Sequence, residues 1–123
     1  MMAQKALLFD DREYFERILD KESPKDAKDL GRQICNFDAQ LWDSRKYEIV
    51  TQGNLLKFSQ NETLKQFLLQ TKNKILAEAS PADPVWGIGL TEDNPLAHIP
   101  AQWPGQNLLG FALMEVRDIL LQL

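Results

Sequence analysis

Residues 83–89 read DPVWGIG, and their types and spacing are suited to chemistry on a ring-bearing molecule. Asp83 stands three residues before Trp86, and a carboxylate held beside an aromatic wall can accept or deliver a proton. The indole offers a flat face for stacking a base. Gly87 and Gly89 would let the backbone approach a ligand closely or turn through positive φ. Asp93, on the loop that follows, is a second acid placed to reach a ligand. Trp103, between Gln102 and Pro104, reads either as a lid or as a core plug. Asn107 opens the last helical stretch, where free N–H groups attract anions such as phosphate. A core tryptophan beside a turn, an exposed turn aspartate and a plain helix cap explain the same letters, so both readings stand on these residues alone.

Other groups offer less. Trp42, Arg45 and Lys46 fall within about one helical turn and could stack a ring and hold a phosphate, or form a charged face with one buried indole. Cys35 is the single cysteine, so no internal disulfide is possible, and it is expected to be a small buried hydrophobe. His98 is the single histidine; it lies between apolar neighbours and no serine motif accompanies it. No Cys/His cluster suggests a metal. Neither G-x-G-x-x-G nor the P-loop pattern occurs, so a nucleotide would have to be held in another way.

These residues sit in a chain of 123 residues, long enough for one hydrophobic core and expected to be one domain over 1–123. The net charge of −4 argues against a protein that coats phosphate backbones, but a small phosphorylated ligand needs only a few local cations. No apolar run reaches membrane-spanning length and no signal peptide is evident, so a cytoplasmic protein without a membrane partner is expected.

The elements that must position the site are mainly helical. Tyr14, Phe15, Ile18 and Leu19 make one stripe. Ser23 and Pro24 mark a helix start. Asp38 caps a long helix to about Phe58 that contains Gly53. Asn61 caps another, which buries Leu64, Phe67 and Leu68. KILAEAS and PVWGIGL are short enough to be extended and to pair. Residues 91–105 form a long connection of the kind that is usually functional or disordered. The last helix begins at Gln106 or Asn107 and runs to Leu121, with Leu109, Ala112, Leu113, Val116, Ile119 and Leu120 on its apolar face. Glu115, Arg117 and Asp118 read as surface charges. Gly110, inside this helix, predicts that something packs closely against it.

MMAQKALLF, DLGRQI, LWDSRK, LLKFSQN, ASPADPVWGIGL and GQNLLGFALMEVRD follow one another in this order. That series resembles the NADAR, or YbiA-like, family of riboflavin biosynthesis intermediate N-glycosidases, over nearly the whole chain. SPADPVWGIGL followed by NLLGFALMEVR is its most specific part. The resemblance implies a largely α-helical fold with at most a few short extended segments, and no metal or organic cofactor. It implies hydrolysis of the N-glycosidic bond in phosphoribosylated pyrimidine intermediates of riboflavin synthesis, or of ADP-ribosyl links to guanine, with nucleic acid a partner only as a modified substrate. It assigns Trp42 and Trp86 to the base site, Asp83 to catalysis ahead of Asp93, and Lys5 to a phosphate or ribose contact. Lys57, Asn107, Gly87 and Gly89 match further ligand-site positions.

The chain departs from the family pattern twice. Some relatives read W-G-D-G where this chain has Ile88, so that acid is absent. The family also carries an E-H segment, with a catalytic glutamate, just upstream of the part that reads MMAQKA here, and the sequence starts after it. A binding protein with little turnover is therefore the alternative to an active glycosidase, and a helical interaction module without a ligand is a third reading. Exposed apolar surface on the first and last helices would favour a homodimer.

Overall fold

A computed structural model describes residues 1–123. Its elements are α1 (Met2–Leu8), α2 (Arg12–Leu19), α3 (Pro24–Gly31), α4 (Ala39–Gln60), α5 (Glu62–Leu69) and α6 (Leu108–Leu121), with two short 3₁₀ turns, Pro95–His98 and Pro100–Gln102, before α6. There are no strands, as a mainly α fold requires. The two stretches expected to be extended do meet: Ile88 N–H donates to the Glu78 carbonyl (2.9 Å) and Gly89 N–H to the Ser80 carbonyl (3.1 Å). No ladder forms, because Pro81 and Pro84 have no N–H to give and Ser80 N–H turns back to Glu78.

By its internal contacts the chain divides into two units, Met1–Ile49 and Val50–Leu123, with the boundary inside α4. In the first unit α1, α2 and α3 enclose Ala6, Phe9, Ile18, Leu30 and Ile34. Asp11 caps α2 by accepting from Tyr14 N–H (3.2 Å), and its other oxygen accepts from Cys35 N–H (2.8 Å). These bonds, with the one from Cys35 foremost, hold the Asp11 carboxyl below the ordinary carboxylate range. Two expectations fail in this unit. Cys35 is exposed, because it lies in the turn after α3 and is tied there by its backbone. The charge on Asp11 then pushes the Cys35 thiol up, which keeps it protonated and unreactive. Leu19, at the end of α2, is also exposed and leaves the stripe to Tyr14, Phe15 and Ile18.

α4 begins as expected, with Asp38 Oδ1 accepting from the N–H groups of Gln40 and Leu41. It runs through Gly53, which faces open space. Asn61 caps α5 through Leu64 N–H. The second core is built from Leu68, Val116 and Leu120, with Leu55, Phe58, Leu76 and Leu113 packed around it. Phe67 does not join it and is 71% exposed, because α5 turns Leu68 into this core and packs Leu69 against it, which leaves Phe67 on the outer side. Arg117 corrects the expectation in the other direction. It is 4% exposed, and its guanidinium donates to Thr71 Oγ1 (2.9 Å) and the Lys74 carbonyl (2.8 Å), pinning the turn after α5. Gly110 is packed closely, as its position inside a helix predicts: a Cβ there would overlap the Leu76 carbonyl and the Asn107 amide.

Candidate functional site

In the second unit, the Asp83 side chain builds the turn that carries Trp86. Asp83 Oδ1 accepts from Val85 N–H (3.1 Å) and Trp86 N–H (2.9 Å), and its main-chain carbonyl accepts from Gly87 N–H (3.1 Å). Oδ2 makes no hydrogen bond, and the residue is only partly buried. One oxygen is thus structural and the other is open. Trp86 is half-buried, Gly87 is buried, and Gly89 takes φ 78°, a conformation that a side chain would strain.

The chain entering α6 closes over the carbonyls of this turn. Gly105 N–H donates to Ile88, Gln106 to Pro84, Asn107 to Gly87, Leu108 to Val85 and Leu109 to Trp86, at 2.8–3.2 Å. The helix-start N–H groups expected to attract phosphate are therefore already used. Asn107, expected at a ligand, is fully buried at φ 53°. Its Oδ1 accepts from Glu78 N–H (3.0 Å) and its Nδ2 donates to the Leu76 carbonyl (2.9 Å). Its role is to fasten residues 76–78 to the start of α6, and it caps nothing with its side chain. Asp93 is exposed and accepts from Thr91 Oγ1 (2.6 Å) within its own loop. That loop is ordered by local bonds: Asn94 caps the first 3₁₀ turn, and Trp103 Nε1 donates to the Ala97 carbonyl (3.0 Å). Trp103 is partly buried and, with His98 and with Ile88 of the Asp83 turn, lines an open cleft of about 490 Å³. Lys57 is exposed on α4, its ammonium 5.6 Å from the ring of Phe58.

In the first unit, Lys5 on α1 lies against two aromatic faces, with Nζ 4.8 Å from the Phe37 ring centre and 5.5 Å from that of Trp42. No acid pairs with it. Burial first, and the charge of Arg32 second, push its pKa below the usual lysine value. A desolvated ammonium beside another cation is a place where an anion would be welcome. Arg45 and Lys46, expected as phosphate contacts, are instead spent on Glu48 (3.2 Å) and Asp43 (2.9 Å) along α4. Sequence reasoning missed Arg32 and Phe37. Neither belongs to a motif with a physical signature, and only the turn at Asn36 (φ 60°) presents Phe37 to α1.

The whole series of motifs has a match. A model of the NADAR domain fits residues 1–121. The chain belongs to the NADAR family. A protein named N-glycosidase R617, from Acanthamoeba polyphaga mimivirus, is 49% identical over 118 residues, which is 96% of this chain and 69% of that one. N-glycosidase YbiA of Escherichia coli K12 is 32% identical over 118 residues, or 96% of this chain and 65% of its own length. The Arabidopsis thaliana chloroplastic protein named riboflavin biosynthesis protein PYRR is 33% identical over 107 residues, 84% of this chain and 16% of its own. The NADAR chain thus spans about two thirds of the first two of these relatives.

For this NADAR protein, the Lys5 geometry makes a two-sided prediction. The lowered pKa means the fold disfavours the charged ammonium, so below that pKa Lys5 opposes folding, and the penalty fades as pH rises through it. Lys5→Met keeps the stem on the aromatic faces and removes the charge. The variant should melt higher than the wild type in a thermal scan at neutral pH. Added phosphate should raise the melting temperature of the wild type and leave Lys5→Met unmoved.

Proposed function

We propose that this NADAR protein is an N-glycosidase acting on a phosphoribosylated pyrimidine of the kind made in riboflavin synthesis, or on an ADP-ribosyl link to guanine. The observation that carries this reading is the divided Asp83 carboxylate, with one oxygen fixed by two backbone N–H groups and the other free, in the turn that presents Trp86. Breaking a C–N glycosidic bond leaves positive charge on the sugar. A fixed carboxylate stabilises that charge, or takes a proton from the attacking water. Trp86, carried by the same turn, offers a face for the base. Within the unit Met1–Ile49, and by itself, the Lys5 ammonium with Arg32 beside it offers positive charge that would suit an anion. The family match and the names of the relatives support the same reaction class. The PYRR relative, matched over 16% of its length, is named for riboflavin biosynthesis, which supports the riboflavin arm of the proposal.

The test is to incubate the 123-residue chain with a phosphoribosylated diaminopyrimidine and, separately, with ADP-ribosylated guanosine. Release of ribose 5-phosphate or ADP-ribose, matched by the free base, is expected from one of them. If neither sugar phosphate appears above the uncatalysed rate, catalysis by this chain is refuted. One observation favours the second reading, binding with little turnover. Ile88, where some relatives place an acid, is 1% exposed and apolar, so Asp83 is the only carboxylate built into the turn. Saturable binding of either substrate without release of sugar phosphate would establish it.

A further inference from the structure

Along residues 75–80 the side chains alternate. Ile75, Ala77 and Ala79 line the open cleft, whereas Leu76 packs against the second core and Ser80 lies against Gly87. Ser80 is held there by its main chain: its N–H donates to the Glu78 carbonyl (2.9 Å), and its carbonyl accepts from Gly89 N–H (3.1 Å). A Cβ on Gly87 would stand 3.0 Å from Ser80 Cβ and 2.8 Å from the Asp83 carbonyl oxygen, so the missing side chain of Gly87 is what admits Ser80 to the turn. The backbone of this turn is already spent. The N–H groups of residues 85–89 donate to Asp83, Glu78 and Ser80, and the carbonyls of residues 84–88 accept from the chain entering α6. Asp83 Oδ2 is free, and so is Ser80 Oγ, on a residue that is partly buried. A hydroxyl drawn partly out of water without a partner needs a reason.

We propose that Ser80 is a specificity-determining residue whose hydroxyl bonds the 2-hydroxyl of the ligand's ribosyl group. The assignment rests on the reading of Asp83 as the carboxylate that faces the sugar, whether the chain cleaves that ligand or only binds it. The carbon that gains charge when the glycosidic bond breaks is the anomeric one, and the 2-hydroxyl stands on its neighbour. Bonds to that hydroxyl strengthen as the charge develops. A serine hydroxyl both donates and accepts, which suits another hydroxyl. A phosphate would be repelled by the Asp83 charge beside it. A base is drawn instead to the face of Trp86.

The test uses sugar phosphates that need no turnover. Ribose 5-phosphate and 2-deoxyribose 5-phosphate are titrated separately into the ¹⁵N-labelled 123-residue chain, and the Trp86 indole N–H signal is followed by NMR. The wild type should bind ribose 5-phosphate at least about tenfold more tightly, because a site built to bond a hydroxyl rejects the analogue that lacks it. Ser80→Ala should bind both equally, at the affinity of the wild type for the deoxy sugar. Ser80→Thr keeps the hydroxyl and should restore the preference. Ser80 Oγ has no partner within the chain, so Ser80→Ala should keep the melting temperature of the wild type. A preference for ribose 5-phosphate that survives in Ser80→Ala, or the absence of a saturable shift with ribose 5-phosphate, would overturn the assignment. Sugar-phosphate release from the glycosides is measured separately. Selective binding without release refutes the glycosidase and leaves Ser80 assigned; release with the preference intact in Ser80→Ala does the reverse.

Discussion

Asn107→Ala is expected to destabilise the unit Val50–Leu123 more than any other single substitution considered, by about 3–5 kcal/mol in chemical denaturation. The amide is completely buried and does two jobs at once, accepting from Glu78 N–H and donating to the Leu76 carbonyl. Truncation strands both backbone groups away from water, at about 1–3 kcal/mol each. It also leaves alanine in the left-handed region, which asparagine tolerates better. Two further variants separate these causes. Asn107→Gly removes the strain but not the stranded groups, so it should recover only about 1 kcal/mol of the loss. Asn107→Asp keeps the acceptor for Glu78 but faces the Leu76 carbonyl with a second acceptor, so it should fall well below wild type and recover as the carboxyl is protonated at low pH. If Asn107→Gly were as stable as wild type, the backbone conformation alone would matter and the amide would be dispensable.

The role of Asn107 shows where the sequence was readable and where it was not. Local rules located the helices, because caps such as Asp38 and Asn61 and the stripe on α6 are written in neighbouring letters. They also flagged Gly110, since a glycine inside a helix needs a reason. They misjudged residues whose partners are distant in the chain. Asn107 and Arg117 each look like ordinary helix-start and helix-surface residues, yet their partners lie 29 to 46 positions away. Short helices were misjudged for another reason: with only two turns, a one-residue error in the stripe puts Phe67 or Leu19 on the wrong side. At the candidate site, the D-x-x-W-G letters were legible as a turn with a carboxylate. That the entry of α6 consumes the carbonyls of this turn could not be read from spacing, and it removes the helix-start anion site that spacing alone suggested. The cation–aromatic group around Lys5 was half legible. The family resemblance singled out Lys5 and Trp42, but Arg32 and Phe37 join them only through folding.

The divided carboxylate of Asp83 gives the sharpest test of the proposed chemistry, because its two oxygens can be separated by substitution. Asp83→Asn retains a carbonyl oxygen that can accept from Val85 and Trp86 N–H, so the turn should persist and the stability change should stay within about 1 kcal/mol. The amide cannot carry the negative charge that stabilises a developing oxocarbenium ion or takes a proton from water. kcat/KM for sugar-phosphate release should therefore fall by about a hundredfold or more. Asp83→Ala should lose the same activity and, in addition, stability, since two N–H groups lose their acceptor. A purely structural aspartate predicts the reverse ordering, with Asp83→Asn near wild type in rate and only Asp83→Ala impaired. Substrate affinity adds a third readout. If the carboxylate acts mainly on the transition state, KM should change little while kcat collapses. A rise in KM at constant kcat would instead place Asp83 in ground-state binding, and the acid for bond cleavage would have to be sought elsewhere.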